Sequence, residues 1–263
     1  MIPPIPSLKY QSGVIDKYNK AIEEKRQKYN KAILILENIE RYLSTELLLT
    51  VPRVDDVLNN RIFYSSLKKI EGNRIDPLYS MYLGRNTSSE KFDNISLRTI
   101  AHIMKGDALT GDESKTGSIP VIAGGQVSPY CHDKSNFDGN VITVSASGAY
   151  AGYVWYHATP IYATDCCVIF SKDETCFLTK YLFEVLKFQQ KFIYRLQTGT
   201  AQPHVYASDL QMLNIPVISL EKQKEIIGHI DDMRRQANNL LEEGETILKN
   251  VRYEIDEMII GSY

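Results

Sequence analysis

The sequence predicts an α/β protein of the α+β type, in which an irregular mixed-sheet domain is flanked by two long antiparallel coiled-coil-like helices. Each end of the 263-residue chain has a heptad pattern of apolar residues, and the middle holds most of the glycines between short β-rich runs. A hydrophobic content of 43% is enough to bury a sizeable core. We expect an N-terminal helix within residues 1–52, a globular domain at 53–218 and a C-terminal helix within 219–263.

The first heptad pattern predicts a helix from about Asp16 to Leu49, which ends because Pro52 cannot continue it. Its apolar positions alternate by three and four, and one lysine interrupts them. They are Ile15, Tyr18, Ile22, Lys25, Tyr29, Ala32, Leu36, Ile39 and Leu43.

The second pattern predicts a helix that begins near Leu220 with Ser219 as its N-cap. Its apolar series is Ile226, Ile230, Met233, Ala237, Leu240, Gly244, Ile247, Val251, Glu254 and Met258. Gly244 lies on this seam, where it permits another backbone to approach closely or bends the helix. The two stripes pack on each other, or each packs on a second copy, and both arrangements stay open. The residues expected to bind partners are Leu36, Leu43, Ile230, Leu240 and Ile247.

The middle region predicts short strands bounded by turn residues, at 119–122, 139–144, 153–156 and 166–170. One helix is predicted, from Leu178 to Leu196. Helices of 10–15 residues do not separate successive strands, which argues against a doubly wound parallel sheet.

Composition limits the environment and the partners. The net charge of −2 means that binding to a polyanion must depend on local basic surface. We expect no membrane span and no signal peptide, hence a cytoplasmic protein whose Cys131, Cys166, Cys167 and Cys176 are thiols. Cys131, His132 and Cys176 do not have the spacing of a zinc site, so we expect no metal and no cofactor.

The motifs for catalysis are weak. Residues 76–79 (Asp-Pro-Leu-Tyr) resemble the Asp-Pro-Pro-Tyr motif of amino-methyltransferases, but a glycine-rich strand-to-helix turn for the methyl donor is missing. Asp107, Asp112 and Glu113 are close in sequence, as in a nuclease metal site, yet such a trio is far more often a solvated loop. We therefore predict a non-catalytic protein. A cryptic DNA methyltransferase or nuclease domain, and a coiled-coil interaction protein without a nucleic-acid role, are the alternatives.

The pattern that favours DNA binding is a basic helix face beside polar loops. The helix presents Lys180, Lys187, Lys191 and Arg195 along one face, opposite a largely apolar stripe. Amide, hydroxyl and glycine residues, which suit contacts to bases and phosphates, fill three loops. The candidate contacts in these loops are Gly124, Gly125, Gln126, Ser145, Ser147, Tyr150, Thr198, Gly199, Thr200, Gln202 and His204.

An ordered set of motifs resembles the target recognition domain of the DNA-specificity subunit in type I restriction–modification systems. The set comprises Ile-Pro-Val-Ile-Ala-Gly-Gly at 119–125, the glycine–serine segment at 139–152, Tyr-Leu-x-x-x-Leu at 181–186, Thr-Gly-Thr-x-Gln-x-His at 198–204, and Ile215-Pro216 followed by Leu220 and Gln223. The usual second proline of the last motif is replaced by Ile218. The resemblance covers residues 92–258, with the N-terminal helix resembling a second connecting helix.

The resemblance implies a subunit that directs an adenine methyltransferase, with or without a motor–nuclease restriction subunit, to a sequence in double-stranded DNA. Members of this family usually contain two recognition domains, whereas this chain has one. It resembles either half of such a subunit or a natural single-domain form. In both cases the resemblance implies a two-fold pair, such as a homodimer, that recognises an inverted repeat.

Overall fold

The computed structural model describes residues 7–50, 87–109, 117–128, 130–199 and 201–260. Contacts divide the chain into two units, which we call the helical unit (Met1–Tyr42 with Gly228–Tyr263) and the sheet unit (Leu43–Ile227). The division falls inside both long helices, whereas the sequence placed the boundaries after residues 52 and 218. The last residues of the first helix and the first residues of the second therefore pack with the sheet unit.

The two long helices are α1, Leu8–Leu47, and the C-terminal helix, Leu220–Ile260. The start predicted near Leu220 is confirmed, and the Ser219 hydroxyl accepts a hydrogen bond from the Lys222 N–H at 3.2 Å. Helix α1 ends before Leu48, whose φ of +43° is incompatible with a continuing right-handed helix. Pro52, the predicted cause, lies outside the described residues. None of the helices described has the length and apolarity that crossing a membrane requires.

Ion pairs fix the antiparallel register of the helical unit. Lys17 bonds Glu254 at 2.5 Å, Lys25 bonds Glu245 at 2.7 Å, and Lys28 bonds Glu243 at 2.5 Å. Every lysine is on α1 and every glutamate is on the C-terminal helix, so a shift in register would separate all three pairs. Exposed pairs of this kind contribute about 1 kcal/mol or less each, which makes them determinants of register more than of stability.

The seam of α1 differs from the predicted one. Three predicted seam residues are exposed: Ile15 by 56%, Ile22 by 42% and Tyr29 by 52%. The buried side of α1 is formed by other positions, among them Ala32 of the predicted series and Ala21 outside it. The prediction was wrong here because a helical period of 3.6 residues lets adjacent stripes share a 3-4 spacing. Alanine in the seam allows the two long helices to approach more closely. A prediction that ranks positions by apolar character alone gives alanine too little weight.

Close approach is also visible at Gly244. A Cβ atom on Gly244 would lie 3.3 Å from Lys25 Cγ and 3.6 Å from the Lys25 carbonyl oxygen. Of the two possible roles that the sequence suggested for this glycine, the structure shows backbone approach.

The sheet unit contains several small sheets. Their strands are β1 (Leu49–Thr50), β2 (Ser88–Ser89), β3 (Asn94–Ser96), β4 (Ala101–Lys105), β5 (Ile119–Ile122), β6 (Cys131–His132), β7 (Val141–Ser145), β8 (Val154–His157), β9 (Tyr162–Ala163), β10 (Cys166–Ser171) and β11 (Asn214–Pro216). The main sheet is antiparallel with order β4-β10-β7-β8, and β1-β2 and β11-β3 form antiparallel pairs. A three-stranded sheet has the order β6-β5-β9, and its strands β5 and β9 are parallel. The predicted irregular mixed sheet is confirmed.

Short helices cover this unit: α2 (Leu97–Ile100), α3 (Thr179–Phe188), α4 (Gln190–Arg195) and α5 (Ala207–Gln211), so that the C-terminal helix is α6. The single helix predicted from Leu178 to Leu196 is interrupted at Gln189, between α3 and α4. Its predicted apolar stripe is buried, and α3 contacts β7, β8 and β10.

Two buried titratable side chains of the main sheet, His157 and Cys167, are in environments that favour their uncharged forms. His157 Nε2 lies 2.8 Å from the Thr143 hydroxyl, and burial lowers the pKa of His157 to about 4. Burial also raises the pKa of the Cys167 thiol to about 11. Both side chains are therefore uncharged near neutral pH.

The close approach at Gly244 can be tested with a matched pair of substitutions. Gly244→Leu should lower the free energy of unfolding by about 1–3 kcal/mol, because the side chain meets the backbone of α1. Gly228→Leu on the same helix should raise it by about 0.5–1 kcal/mol, since nothing lies within 4 Å of a Cβ there and leucine favours helix. Urea denaturation of the full chain measures both. Equal effects of the two substitutions would refute the close contact.

Candidate nucleic-acid interface

One edge of the main sheet collects the loops with the polar residues. The register pairs Cys167 with Lys105, Cys166 with Ser145, and Val144 with Val154. The ends of β4 and β7 and the beginnings of β10 and β8 thus lie together where the strands end. We call this end of the sheet the loop edge. Antiparallel pairing produces this arrangement because successive strands turn back at a shared edge.

Three loops meet at the loop edge: the glycine loop (123–128), the serine loop (145–152) and the glutamine loop (197–206, in which Thr200 lies outside the described residues). The glutamine and serine loops are joined by backbone hydrogen bonds, from Gly148 N–H to the Pro203 carbonyl at 3.0 Å and from Val205 N–H to the Ala146 carbonyl at 3.0 Å. The Gln197 amide also donates to the Ala151 carbonyl at 2.7 Å. The two loops therefore form one continuous surface.

The glycine loop lies against the same surface. A Cβ on Gly124 would be 2.8 Å from the Ser147 carbonyl oxygen, so only glycine allows this approach. The Gln126 side chain forms a hydrogen bond with the Tyr194 hydroxyl, beside the phenols of Tyr150 and Tyr153. Burial raises the pKa of Tyr194, and the hydrogen bond with Gln126 opposes this shift.

The glutamine loop is a tight hairpin. Thr198 and His204 exchange backbone hydrogen bonds of 2.9 and 2.8 Å, and Gly199 has a φ of +95° that favours glycine. Gln202 is exposed at the tip, and the ring of His204 stacks on Tyr206 at 6.2 Å. The amide and the imidazole are thus presented from a constrained backbone.

The candidate DNA contacts in the serine loop differ in how deeply their side chains are buried. Tyr150 is 45% exposed and Ser147 is partly exposed, but Ser145 is 3% exposed. Ser145 is therefore largely covered by the protein in this conformation, and its contact with DNA stays a prediction. The Ser145 hydroxyl has no hydrogen-bond partner among the described residues.

The predicted basic stripe is divided by the break between α3 and α4. Lys180 lies 5.8 Å from the ring centroid of Tyr156, whose hydroxyl bonds Asn140 at the edge of the sheet opposite the loops. Lys187 donates to the Val154 carbonyl at 3.0 Å and lies 4.2 Å from the Tyr153 ring centroid, which gives it a structural role. Lys191 and Arg195 are exposed on α4 near the loop edge. The four cations therefore do not share one environment, and phosphate contact by each of them stays a prediction.

Two residues that the sequence did not single out also lie at the loop edge. Lys105 is the exposed last residue of β4, and Asp165 is the exposed residue before β10. Their positions at strand ends were visible in the sequence, but the strand order that brings them beside the loops was not. Nothing in the local pattern distinguished them from other exposed charges.

Most of the residues considered for catalysis fall outside the part of the chain that the structure describes. Residues 76–79, Asp112 and Glu113 lie outside the described residues, and Asp107 accepts a hydrogen bond from the Asn136 amide at 3.0 Å. Within the described ranges, no three histidine, cysteine, aspartate or glutamate side chains could jointly hold a metal ion. The loop edge itself offers hydrogen-bonding groups, glycines and cations, which suit binding.

Two of the five predicted partner-binding residues serve the protein's own packing. Leu43 is 2% exposed in the sheet unit and Ile230 is fully buried in the helical unit, so neither is accessible to a partner in this conformation. Leu36, Leu240 and Ile247 are partly buried. The exposed apolar stripe of α1 is instead formed by Leu8, Ile15, Ile22 and Tyr29, which recur every seven residues.

Comparisons with known proteins agree with this architecture. A family profile described as type I restriction modification DNA specificity domain matches residues 89–249. A comparison with curated proteins finds no match.

Solved structures give matches at low sequence identity. The S subunit of a type I restriction–modification system from M. genitalium is 16% identical, with a TM-score of 0.56 over 93% of this chain and 61% of that chain. A chain from a structure of a type I R-M system, described in terms of complex assembly and conformational transition, is 14% identical, with a TM-score of 0.54 over 97% of this chain and 60% of that chain. The HsdS subunit from Thermoanaerobacter tengcongensis is 14% identical, with a TM-score of 0.49 over 99% of this chain and 60% of that one. The chain thus spans about three fifths of the length of these relatives.

Proposed function

Because the chain belongs to the family of type I restriction–modification DNA specificity domains, we propose that it selects a DNA sequence on behalf of a partner adenine methyltransferase. The observation that supports this role is the convergence of three glycine-containing loops, two of them with amide side chains, at one edge of the main sheet. Amide side chains such as Gln126 and Gln202 suit bidentate contact with adenine, and exposed backbone near glycine suits approach to base edges or phosphates. The chain itself is non-catalytic in this proposal, and a motor–nuclease subunit is a possible further partner of the complex.

Selection from a random pool of DNA duplexes tests the role. The chain, alone and together with a type I methyltransferase subunit, should enrich one sequence from a random pool. Enrichment is expected because base contacts discriminate by about 1–3 kcal/mol per good bidentate pair. Recovery of an unchanged random pool by both preparations would reject sequence recognition.

Cations near the loops supply affinity without sequence preference. Lys105, Lys191 and Arg195 are exposed near the loop edge, whereas Lys180 lies at the opposite edge and Lys187 is held by Val154. With a net charge of −2 for the whole chain, this local group determines where a duplex is attracted.

Charge reversal separates the two groups of cations. Lys191→Glu with Arg195→Glu should weaken binding to all duplexes, and the slope of log affinity against log salt should fall by about 2 because two phosphate contacts are lost. Lys180→Glu should leave the slope unchanged, because it removes a cation from the opposite edge. Titrations of fluorescent duplexes at several salt concentrations measure the slopes. The same slope change in both variants would contradict the placement of DNA at the loop edge.

Repeated helix starts support a two-fold pair of recognition domains. Ser-Leu-x-x-Gln begins both long helices, at Ser7 and at Ser219, and both serines accept a hydrogen bond from the N–H three residues later, at 3.3 and 3.2 Å. In the sheet unit, Gln223 is fully buried and receives the Leu178 N–H at 2.8 Å, which holds the start of α6 in place. Gln11 occupies the same place in α1.

Contacts along the helices repeat in the same two-fold manner. Tyr10 bonds the Met258 carbonyl at 2.5 Å, and Lys222 pairs with Glu46 at 2.8 Å. Counted from the two serines, Tyr10 corresponds to Lys222, and Glu46 corresponds to Met258. A second recognition domain at the start of α1 would complete this symmetry, and the sequence enriched from the pool would then be an inverted repeat.

The exposed stripe of α1 is the surface that we assign to the methyltransferase subunit. Leu8, Ile15 and Ile22 are 82%, 56% and 42% exposed, on a helix whose other face packs in the helical unit. Ile15 also lines a groove with Val14 and Tyr18 of α1 and Ile255 of α6. A row of exposed apolar side chains at heptad spacing suits a helix of a partner subunit.

Charged substitutions on the stripe should release that partner. Ile22→Glu with Tyr29→Glu should reduce co-purification of the methyltransferase about tenfold or more, because interface anchors of this size are worth a few kcal/mol. Leu34→Glu is the matched control, since Leu34 is 58% exposed on the same helix but lies off the stripe. Retention of the methyltransferase, or loss of a second copy instead of the methyltransferase in light-scattering measurements, would reject this assignment.

A further inference from the structure

Asp165 is an acidic side chain among groups that otherwise suit a polyanion. The residues of the glycine, serine and glutamine loops include no aspartate or glutamate. Asp165 is exposed where β10 begins, and its carbonyl accepts a hydrogen bond from the Ala146 N–H of the serine loop at 3.1 Å. Its position is therefore tied to the loop edge.

The carboxylate is oriented by two of these loops. The Ser147 hydroxyl donates to Asp165 Oδ2, and a Cβ on Gly124 would lie 3.5 Å from the same oxygen. Glycine at 124 thus leaves the carboxylate uncovered on the side of the glycine loop. Among the described residues, Oδ1 accepts no hydrogen bond, so one acceptor remains available.

A second polar group beside Asp165 is incomplete. The Ser145 hydroxyl is buried without a partner among the described residues, and it lies 3.7 Å from the position of a Cβ on Gly124. Buried polar groups without a partner are rare in native proteins, and a water or a ligand generally completes them. The region between Gly124, Ser145 and Asp165 therefore has unmet hydrogen-bonding capacity on both donor and acceptor sides.

A carboxylate at a DNA-binding edge repels phosphates, so it lowers affinity for every duplex unless a base compensates it. The compensating group must be a hydrogen-bond donor on a base edge. In the major groove the donors are the exocyclic amino groups, N4 of cytosine and N6 of adenine. Carboxylates accept from these groups and reject the carbonyl oxygens of thymine and guanine at the same place, which gives discrimination by both attraction and repulsion.

We propose that Asp165 is a specificity-determining residue, whose carboxylate accepts a hydrogen bond from an exocyclic amino group of a base in the major groove. This inference rests on the proposed function, because it names one contact of that same DNA-binding edge. Ser147 is the positioning residue that holds the carboxylate toward the groove.

The test uses Asp165→Ala in the chain with its methyltransferase partner, and random-pool selection as the measurement. One base-pair position of the selected sequence should become degenerate. The affinity of Asp165→Ala for the DNA sequence that the wild-type protein selects should fall about 5- to 50-fold. Affinity for random DNA should stay the same or rise, since a negative charge is removed. Asp173→Ala removes the same charge at the opposite edge of the sheet, before the turn that Thr175 completes, and should leave the selected sequence unchanged.

Base analogues identify the amino group. Duplexes with purine in place of adenine, or 2-pyrimidinone in place of cytosine, lack the exocyclic amine at one position. Wild-type protein should lose affinity for one of these analogues at the degenerate position, and Asp165→Ala should be indifferent to it. The analogue that matters decides between adenine and cytosine.

Three results would overturn the inference. Ser147→Ala keeps the carboxylate, so a loss identical to that of Asp165→Ala at every position would mean that Asp165 only holds the serine loop. Equal losses on selected and random DNA would mean that it acts on the fold. Sensitivity to neither analogue would exclude an amino group as the ligand. A wild-type protein that enriches no sequence rejects the proposed function itself, an outcome distinct from these three.

Discussion

Strand β10 is the constraint on which the sheet unit depends. It pairs antiparallel with β4 on one side and with β7 on the other, and five of its six residues are buried. A strand covered on both faces and paired on both sides leaves no freedom of register, since a slip by one residue would exchange its two faces. Every segment attached to the ends of β4, β7, β8 and β10 is therefore placed by that register, including the serine loop and Asp165.

Rigidity at the loop edge has a second source in α3 and α4. Tyr181 is fully buried, with its hydroxyl donating to the Pro216 carbonyl at 2.9 Å, and Lys187 and Gln190 bond the backbone of the β8 region. The Gln190 amide, for example, donates to the Gly152 carbonyl at 2.7 Å. Side chains that satisfy backbone groups of the serine loop reduce the conformational entropy that binding would otherwise have to remove. Lys187 thus holds the start of β8, directly after the serine loop.

In the helical unit, the seam and the ion pairs determine the antiparallel register of α1 and α6. Its seam uses alanine, glycine and lysine stems, and its ion pairs place all lysines on one helix and all partner glutamates on the other. Such a seam buries less apolar surface than a leucine-rich one, and it leaves Leu8, Ile15, Ile22 and Tyr29 exposed on α1. The ion pairs that determine the register and the exposed apolar stripe lie on different faces of α1, so one helix can carry both.

The sequence by itself determined the element types and their order. Heptad spacing defined two long helices, the Ser219 cap located the start of α6, and short β-rich runs between glycines located β5, β7, β8 and β10, because periodicity and turn chemistry are local properties. It also predicted the polar loops that meet at the loop edge. Only the tertiary structure decided which of two adjacent stripes on α1 faces the partner helix, because a 3-4 spacing fits both. Tertiary structure alone also separated Lys180 from Lys191 and Arg195, buried Ser145, and brought Asp165 beside Gly124 and Ser147. These outcomes depend on strand order and register, which join residues far apart in sequence and leave no mark in the local pattern.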